Sequence, residues 1–232
     1  SPLNGTWGTL TDNGLGGYTY TLHDDASVQA LNKGEHQTDT FTYTMQDADG
    51  DIKTATLTVT VNGSNDDPTI VVHTGNPENS NDTVYEAGLT GGTQAGEAET
   101  HAGGIFTLGD ADGLSNIAGI TIGTTTIAIA DLGNNNVING SNGTLTITHY
   151  DSNTGEVTYT YDLTSPVGNA VGSDAGSDNF TVTVNDADGG SNSANIVIDI
   201  VDDKPVARDD SASVTEDTHT SVTDNVITND SS

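Results

Sequence analysis

Apolar and small polar residues alternate one by one along much of the chain. The runs are Tyr18-Thr-Tyr20-Thr-Leu22, Phe41-Thr-Tyr43, Leu57 to Val61, Ile127 to Ile129, Leu145-Thr-Ile147, Val157-Thr-Tyr159-Thr-Tyr161, Phe180-Thr-Val182-Thr-Val184 and Ile196 to Ile200. A period of two sends alternate side chains to opposite faces, so each run predicts a strand with one apolar and one Thr-rich face. Asn13-Gly14, Asn139-Gly140 and Asn142-Gly143 lie between runs, and these residues accept the positive φ of hairpin turns. Thr126 to Leu132 could instead form a short helix, and no amphipathic stretch of normal helix length competes elsewhere. The pattern predicts an all-β fold of antiparallel sandwiches.

The strand pattern also repeats. Asp39-Thr-Phe41-Thr-Tyr43-Thr-Met-Gln-Asp47-Ala-Asp49-Gly50 returns 139 residues later as Asp178-Asn-Phe180-Thr-Val182-Thr-Val-Asn-Asp186-Ala-Asp188-Gly189. The same offset pairs Tyr20 with Tyr159, and Ala55 to Val61 with Ala194 to Ile200. An acidic, Pro-bearing connector follows each copy: Asn65-Asp66-Asp67-Pro68 and Asp202-Asp203-Lys204-Pro205. Beyond the second, Ala212-Ser-Val214-Thr-Glu216 echoes Asp82-Thr-Val84-Tyr-Glu86. Repetition at this period marks an array of modules. Residues 1-67 read as the later part of one module, 68-204 as a complete one, and 205-232 as the opening strands of a third. An incomplete sandwich leaves strand edges open, so Val214 to Val226 is expected to complement residues 1-67. The donor would come from a neighbouring molecule if the ends of the middle module lie at opposite poles.

Charge changes the picture. The 34 acidic residues, 27 of them Asp, face four cations, Lys33, Lys53, Lys204 and Arg208, for a formal net charge of -30. Self-repulsion of that size opposes compaction, and low hydrophobicity with high charge favours disorder. The alternating runs argue for folded strands instead, which makes bound divalent cations the natural counter-charge. Nucleic acid is excluded as a partner because no basic patch offsets the acidic surface. No apolar run approaches the roughly 20 residues needed for a membrane span, so no membrane insertion is expected. The N-terminus lacks a signal-peptide pattern, and targeting information is expected elsewhere or not at all. Cysteine is absent, so calcium would take the stapling role that disulfides play in other non-cytoplasmic modules.

Asp-Ala-Asp-Gly occurs three times, at Asp47-Asp49, Asp110-Asp112 and Asp186-Asp188. Two carboxylates at i and i+2 of a turn can aim hard oxygens at one centre, and the following glycine lets the backbone bend. Calcium takes six to eight oxygen ligands. Asp66, Asp67, Asp202 and Asp203 of the connectors, with Glu86 and Glu216 near the starts of the following modules, are candidates for the remainder. Such sites would stiffen the joints. Asp47-Ala-Asp49-Gly-Asp51 is not an EF-hand loop, because glycine is missing at its sixth position and Thr58 stands where the bidentate Glu belongs. No Gly-Gly-x-Gly-x-Asp nonapeptide of a calcium-binding β-helix is present. Asp-Ala-Asp-Gly is also a good plain turn sequence.

With these motifs in view, Gly5-Thr-Trp7-Gly8-Thr-Leu10, Gly17 to Leu22, Thr38 to Tyr43, Asp47 to Gly50 and Asn65 to Pro68 resemble a VCBS repeat. Residues 69-204 resemble the longer repeat of giant type I-secreted adhesins, through Gly104-Ile-Phe106-Thr-Leu108-Gly-Asp110-Ala-Asp112-Gly113 and Val201 to Pro205. Residues 206-230 resemble the start of another VCBS unit, with Val214-Thr-Glu216-Asp217 and Asn225 to Asp230. The resemblance implies tandem Ig/cadherin-like antiparallel β-sandwiches with calcium at turns and linkers. It also implies an RTX-type bacterial adhesin, extracellular and cell-surface, used in attachment and biofilm formation. Family calcium ligands carry over best to the Asp-Ala-Asp motifs, and neighbouring repeats of the same chain would be its partners.

Catalysis finds little support. There is no His-Glu-x-x-His, Gly-x-Ser-x-Gly or phosphate-binding glycine loop, and the single tryptophan, Trp7, fits a core better than a sugar platform. The competing function is a calcium-dependent sugar- or peptide-binding tip, with Gly-rich residues 89-104 and His101 as its loop. Repetition favours a spacer, because like modules gain length while a tip is usually a unique domain.

Overall fold

The chain adopts the all-β architecture in a computed structural model that describes residues 2–14, 16–73, 83–168, 175–205, 207–217 and 221–223. In chain order the strands are β1 (Leu3–Asn4), β2 (Gly8–Asp12), β3 (Tyr18–Leu22), β4 (His36–Gln46), β5 (Ile52–Asn62), β6 (Thr69–His73), β7 (Thr83–Tyr85) and β8 (His101–Gly109). They continue as β9 (Ile117–Ile122), β10 (Thr125–Ala128), β11 (Asn136–Asn139), β12 (Gly143–Tyr150), β13 (Glu156–Leu163), β14 (Ala175–Asp186) and β15 (Ser191–Val201). The one α-helical turn among the described residues, α1 (Ala26–Gln29), is capped by Asp25, whose side chain accepts from the amides of Ser27 and Val28. The Thr126 to Leu132 segment is strand β10 followed by a 3-10 turn, Ile129–Asp131. Its β-branched residues favour extended backbone over a helix.

Contacts divide the chain into two compact units: residues 1–70 with 108–119 and 183–192, and residues 71–107 with 120–182 and 193–232. Two five-stranded sheets run in the orders β10-β9-β14-β15-β7 and β11-β12-β13-β8-β6. They face each other across an edge-on pair, Tyr161 of β13 and Phe180 of β14, with ring centroids 6.1 Å apart. The alternation works as the sequence predicts: Val157, Tyr159, Tyr161 and Leu163 point inward, as do Phe180, Val182 and Val184. The β11–β12, β12–β13 and β13–β8 ladders are antiparallel, whereas the edge strand β7 runs parallel to β15 with Ile200 opposite Val84.

Residues 1–62 reproduce part of this plan. β1-β2-β3 form one small sheet and β4-β5 another, joined across an edge-on Tyr20–Phe41 pair at 6.2 Å. The counterparts are β2 with β12, β3 with β13, β4 with β14 and β5 with β15. Nothing among the described strands of residues 1–62 stands where β6 to β10 stand in the larger pair of sheets. That absence is visible in burial: Tyr18, Leu22, Tyr43 and Met45 are exposed, whereas Tyr159, Leu163, Val182 and Val184 at the equivalent places are buried.

The geometry corrects one pairing read from the offset. Tyr20 lies opposite Leu10, two residues from the Gly8–Leu22 pair; the residue so placed in the second copy is Tyr161, opposite Leu145 and two from Gly143–Leu163. The β12–β13 hairpin is longer than β2–β3, and its register shifts between Ile147 and His149. A constant offset cannot follow such an insertion.

Candidate metal centre

Three acidic turns of the first unit carry the motif. Each places its glycine at a left-handed φ, +100° for Gly50 and Gly113 and +104° for Gly189, where a side chain is strained. That conformation folds the backbone over the first aspartate. The amides of Asp188, Gly189 and Gly190 donate to Asp186 Oδ1 at 2.9, 2.6 and 2.8 Å, and the Asp112 amide donates to Asp110 Oδ1 at 2.9 Å.

The structure brings two of these turns to the connector. The Asp66 amide donates to Asp112 Oδ2 at 2.9 Å. Asn65 Nδ2 donates to Asp186 Oδ2 at 2.9 Å, and Asn116 Nδ2 donates to Asn65 Oδ1 at 3.3 Å. The Ala187 amide donates to the Asn116 carbonyl at 2.9 Å, locking one turn to the other. A Cβ added to Gly190 would lie 2.3 Å from Asp186 Oδ2 and 2.6 Å from Asp67 Oδ1, so both carboxylates crowd that glycine. Lys33 Nζ stands 4.0 Å from Asp188 Oδ1.

Asp112, Asp186 and Asn116 are buried. Asp110 Oδ2 and Asp112 Oδ1 are buried with no hydrogen-bond partner, which is costly for an anionic oxygen. Burial, with Asp112, Asp186 and Asp66 close by, pushes the Asp110 carboxyl above its usual range. Burial also pushes Asp186 upward, but Asn65 and the three turn amides outweigh it and hold that carboxyl below the usual range. The donor set is all hard oxygen, anionic and short of protons, which suits a calcium ion rather than a soft metal. Asp66, Asp67, Asp110, Asp112 and Asp186 line this junction, with the Asn65 and Asn116 side chains as their frame, but among the described residues no three of these carboxylates bring oxygens within 4.8 Å of one another, so a shared ion would need them to draw closer.

The remaining candidates sit differently. Asp47, Asp49 and Asp51 offer oxygens within 4.8 Å of one another but are exposed; the Asp49 side chain and the Asp51 amide hold Asp47 below its usual range. In the second unit, buried Glu86 accepts from the Val167 amide at 2.6 Å. Asp203 accepts from the Thr93 amide at 2.7 Å and from the Thr93 hydroxyl, which ties down the Gly-rich segment. His101 in that segment pairs with Asp162 directly across the ladder. Asp202 is half-buried and Glu216 exposed. Asn65 and Asn116 were not singled out from sequence; the usable signal was their place, one in the connector and one three residues after Gly113.

Residues 2–60 match the family model of a bacterial Ig domain. No curated protein matches. Among solved structures, the chain is similar to SGBP-B of a Bacteroides ovatus mixed-linkage glucan utilization locus, in complex with a mixed-linkage heptasaccharide. That similarity is 16% identity over 71% of this chain and 30% of that one, with a TM-score of 0.20, a superposition too loose to speak for fold or function. No helix among the described residues is long and apolar enough to cross a membrane.

Proposed function

We propose that this chain is a calcium-stiffened extender region of a secreted bacterial surface adhesin, non-catalytic, carrying length and rigidity for cell attachment and biofilm formation. One observation carries the reading: Asp110 Oδ2 and Asp112 Oδ1 are buried without a hydrogen-bond partner, while the other oxygen of Asp112 accepts from the amide of the connector residue Asp66. A cation there would neutralise carboxylates that otherwise repel one another, and it would clamp the connector to the turns at Asp110–Asn116 and Asp186–Gly190. When bound, calcium supplies charge compensation and coordination, and the chain supplies the frame that holds the donors apart until it arrives. The bacterial Ig match over residues 2–60 supports the surface setting. VCBS and RTX membership and type I secretion rest on the sequence resemblance.

Small-angle scattering in calcium and in excess EGTA tests this function. A stiffened extender gives a larger maximum dimension with calcium and a broader, shorter-averaged particle without it. Identical curves in both conditions would remove the stiffening role.

A further inference from the structure

One large sheet ends in β10 and the other in β11, and these two edge strands flank a groove lined by Ile127, Ala128, Asn136 and Val137. The free edge of β11 has a defined pattern. The Gly140 amide donates to the Gly143 carbonyl at 2.8 Å, and β11 continues along β12 with Ile138 opposite Leu145 and Asn136 opposite Ile147. Opposed residues of an antiparallel ladder alternate between hydrogen-bonded and non-hydrogen-bonded pairs, so Asn136 and Ile138 turn their backbone groups toward β12. The amide and carbonyl of Val137 therefore point outward, where no described strand pairs with them. The Val137 side chain is 59% exposed.

We infer that β11 pairs antiparallel with β11 of a second copy of this chain, about a two-fold axis at Val137, the amide of each Val137 donating to the carbonyl of the other. Three features select this occupant. The side chains are symmetric about the axis: Asn135 and Asn139 stand two residues to either side of Val137, so self-pairing sets Val on Val and each Asn139 beside an Asn135. The surface is nearly neutral, because from Ile120 to Tyr150 the chain carries one carboxylate, Asp131, and no Lys or Arg, in a protein of net charge -30. Two acidic molecules meet there with the least repulsion. The edge also lacks the charge or proline that blunts a strand against self-pairing, and the first copy of the plan has such a device. There β1 pairs with β2 as β11 does with β12, Asn4-Gly5 standing for Asn139-Gly140. The residue equivalent to Val137 is then Pro2, which has no amide to donate.

A two-fold contact of this kind closes on itself and gives lateral pairs, not filaments. It is short, well under the roughly 800 Å² per partner of a stable interface, and each copy is strongly acidic. Pairing is therefore weak, and salt strengthens it by screening. It provides side-by-side cohesion between neighbouring molecules.

Sedimentation velocity of the parent chain at rising concentration, with Val137→Pro and Val137→Thr beside it, tests the pairing. The expected result is a reversible dimer in the parent, kept by Val137→Thr and lost in Val137→Pro. Melting temperatures of both variants should stay near the parent's, because the amide removed bonds nothing among the described residues. Cysteine cross-linking tests the register independently. In a hydrogen-bonded pair the Cα atoms lie about 5.5 Å apart, within the span of a disulfide, whereas the two Asn139 residues would stand roughly 14 Å apart. Both positions are exposed and the chain has no native cysteine. Mild oxidation should therefore link Val137→Cys chains at least about 5-fold faster than Asn139→Cys chains. A parent that stays monomeric, a dimer that Val137→Pro leaves intact, or equal linking at the two positions overturns the proposal.

Discussion

The Tyr161 hydroxyl donates to Asp178 Oδ2 at 2.8 Å in the middle of the larger sandwich, and the Tyr20 hydroxyl does the same to Asp39 Oδ2 at 2.6 Å in the smaller one. Each aspartate is buried, and each also accepts from the amides of a Gly-bearing hairpin: Asn142 and Gly143 for Asp178, and Thr6, Trp7 and Gly8 for Asp39. A charged acceptor shared by a tyrosine and several amides joins the two sheets by a polar clasp inside an apolar core. Removing the hydroxyl leaves the carboxylate buried and short of a donor. Tyr161→Phe is expected to lower unfolding free energy by about 1–3 kcal/mol, and Asp178→Ala by more, because three donors lose their acceptor. Urea unfolding checks both, and Tyr20→Phe should cost less because its surroundings are half open.

The clasp also sets a pH window. Burial pushes Asp39 upward, but Tyr20 and the amides of Thr6, Trp7 and Gly8 outweigh it and hold its folded pKa below the ordinary 3.8. Its contribution is therefore present above pH about 4, near the unfolded value, and is lost as pH falls through the lower folded value. Tyr20 moves oppositely: burial, then its bond to Asp39 and that charge, push it from 10.0 up to about 12. The unfolded chain releases that proton first, so stability should fall as pH climbs from 10 to 12. Chemical denaturation across pH 2–12 should give a plateau with both shoulders, and Asp39→Asn should flatten the acid one.

Much of this was legible in sequence because a strand writes its burial as a period of two. The runs through Tyr159 and Val182 predicted strands, and they are β13 and β14 with their apolar faces inward. The motif aspartates were legible as chemistry-bearing turns for the same local reason, since spacing and glycine are both short-range. What the sequence could not supply was distance. That Asn65 reaches Asp186 across 121 residues, and Asn116 reaches Asn65 across 51, is a product of folding. The Tyr–Asp clasp was hidden too, because Tyr20 and Tyr161 drift out of constant offset when a hairpin lengthens.

The two copies should respond unequally to the same truncation. Val184 is buried and its counterpart Met45 is exposed. Val184→Ala is expected to destabilise by roughly 2 kcal/mol and Met45→Ala by less than about 0.5 kcal/mol. Thermal unfolding of the two single variants, against the parent chain, checks the contrast.

At the candidate centre the sign of a substitution should depend on the metal. Without calcium, Asp110→Asn removes one of several mutually repelling carboxylates and is expected to leave melting temperature unchanged or higher. With calcium it removes a ligand and should lose most of the metal-induced gain. Unfolding of parent and variant in EGTA and in millimolar calcium would show the two orders crossing; the same order in both would mean the turn carries no ion.

Calcium binding to the parent chain, measured by isothermal titration calorimetry alongside an Asp110→Asn/Asp112→Asn variant, tests the central claim most directly. The account predicts saturable binding by the parent and loss of at least one site, by about 10-fold or more in affinity, in the variant. Equal binding by both chains, or none by the parent, would contradict it.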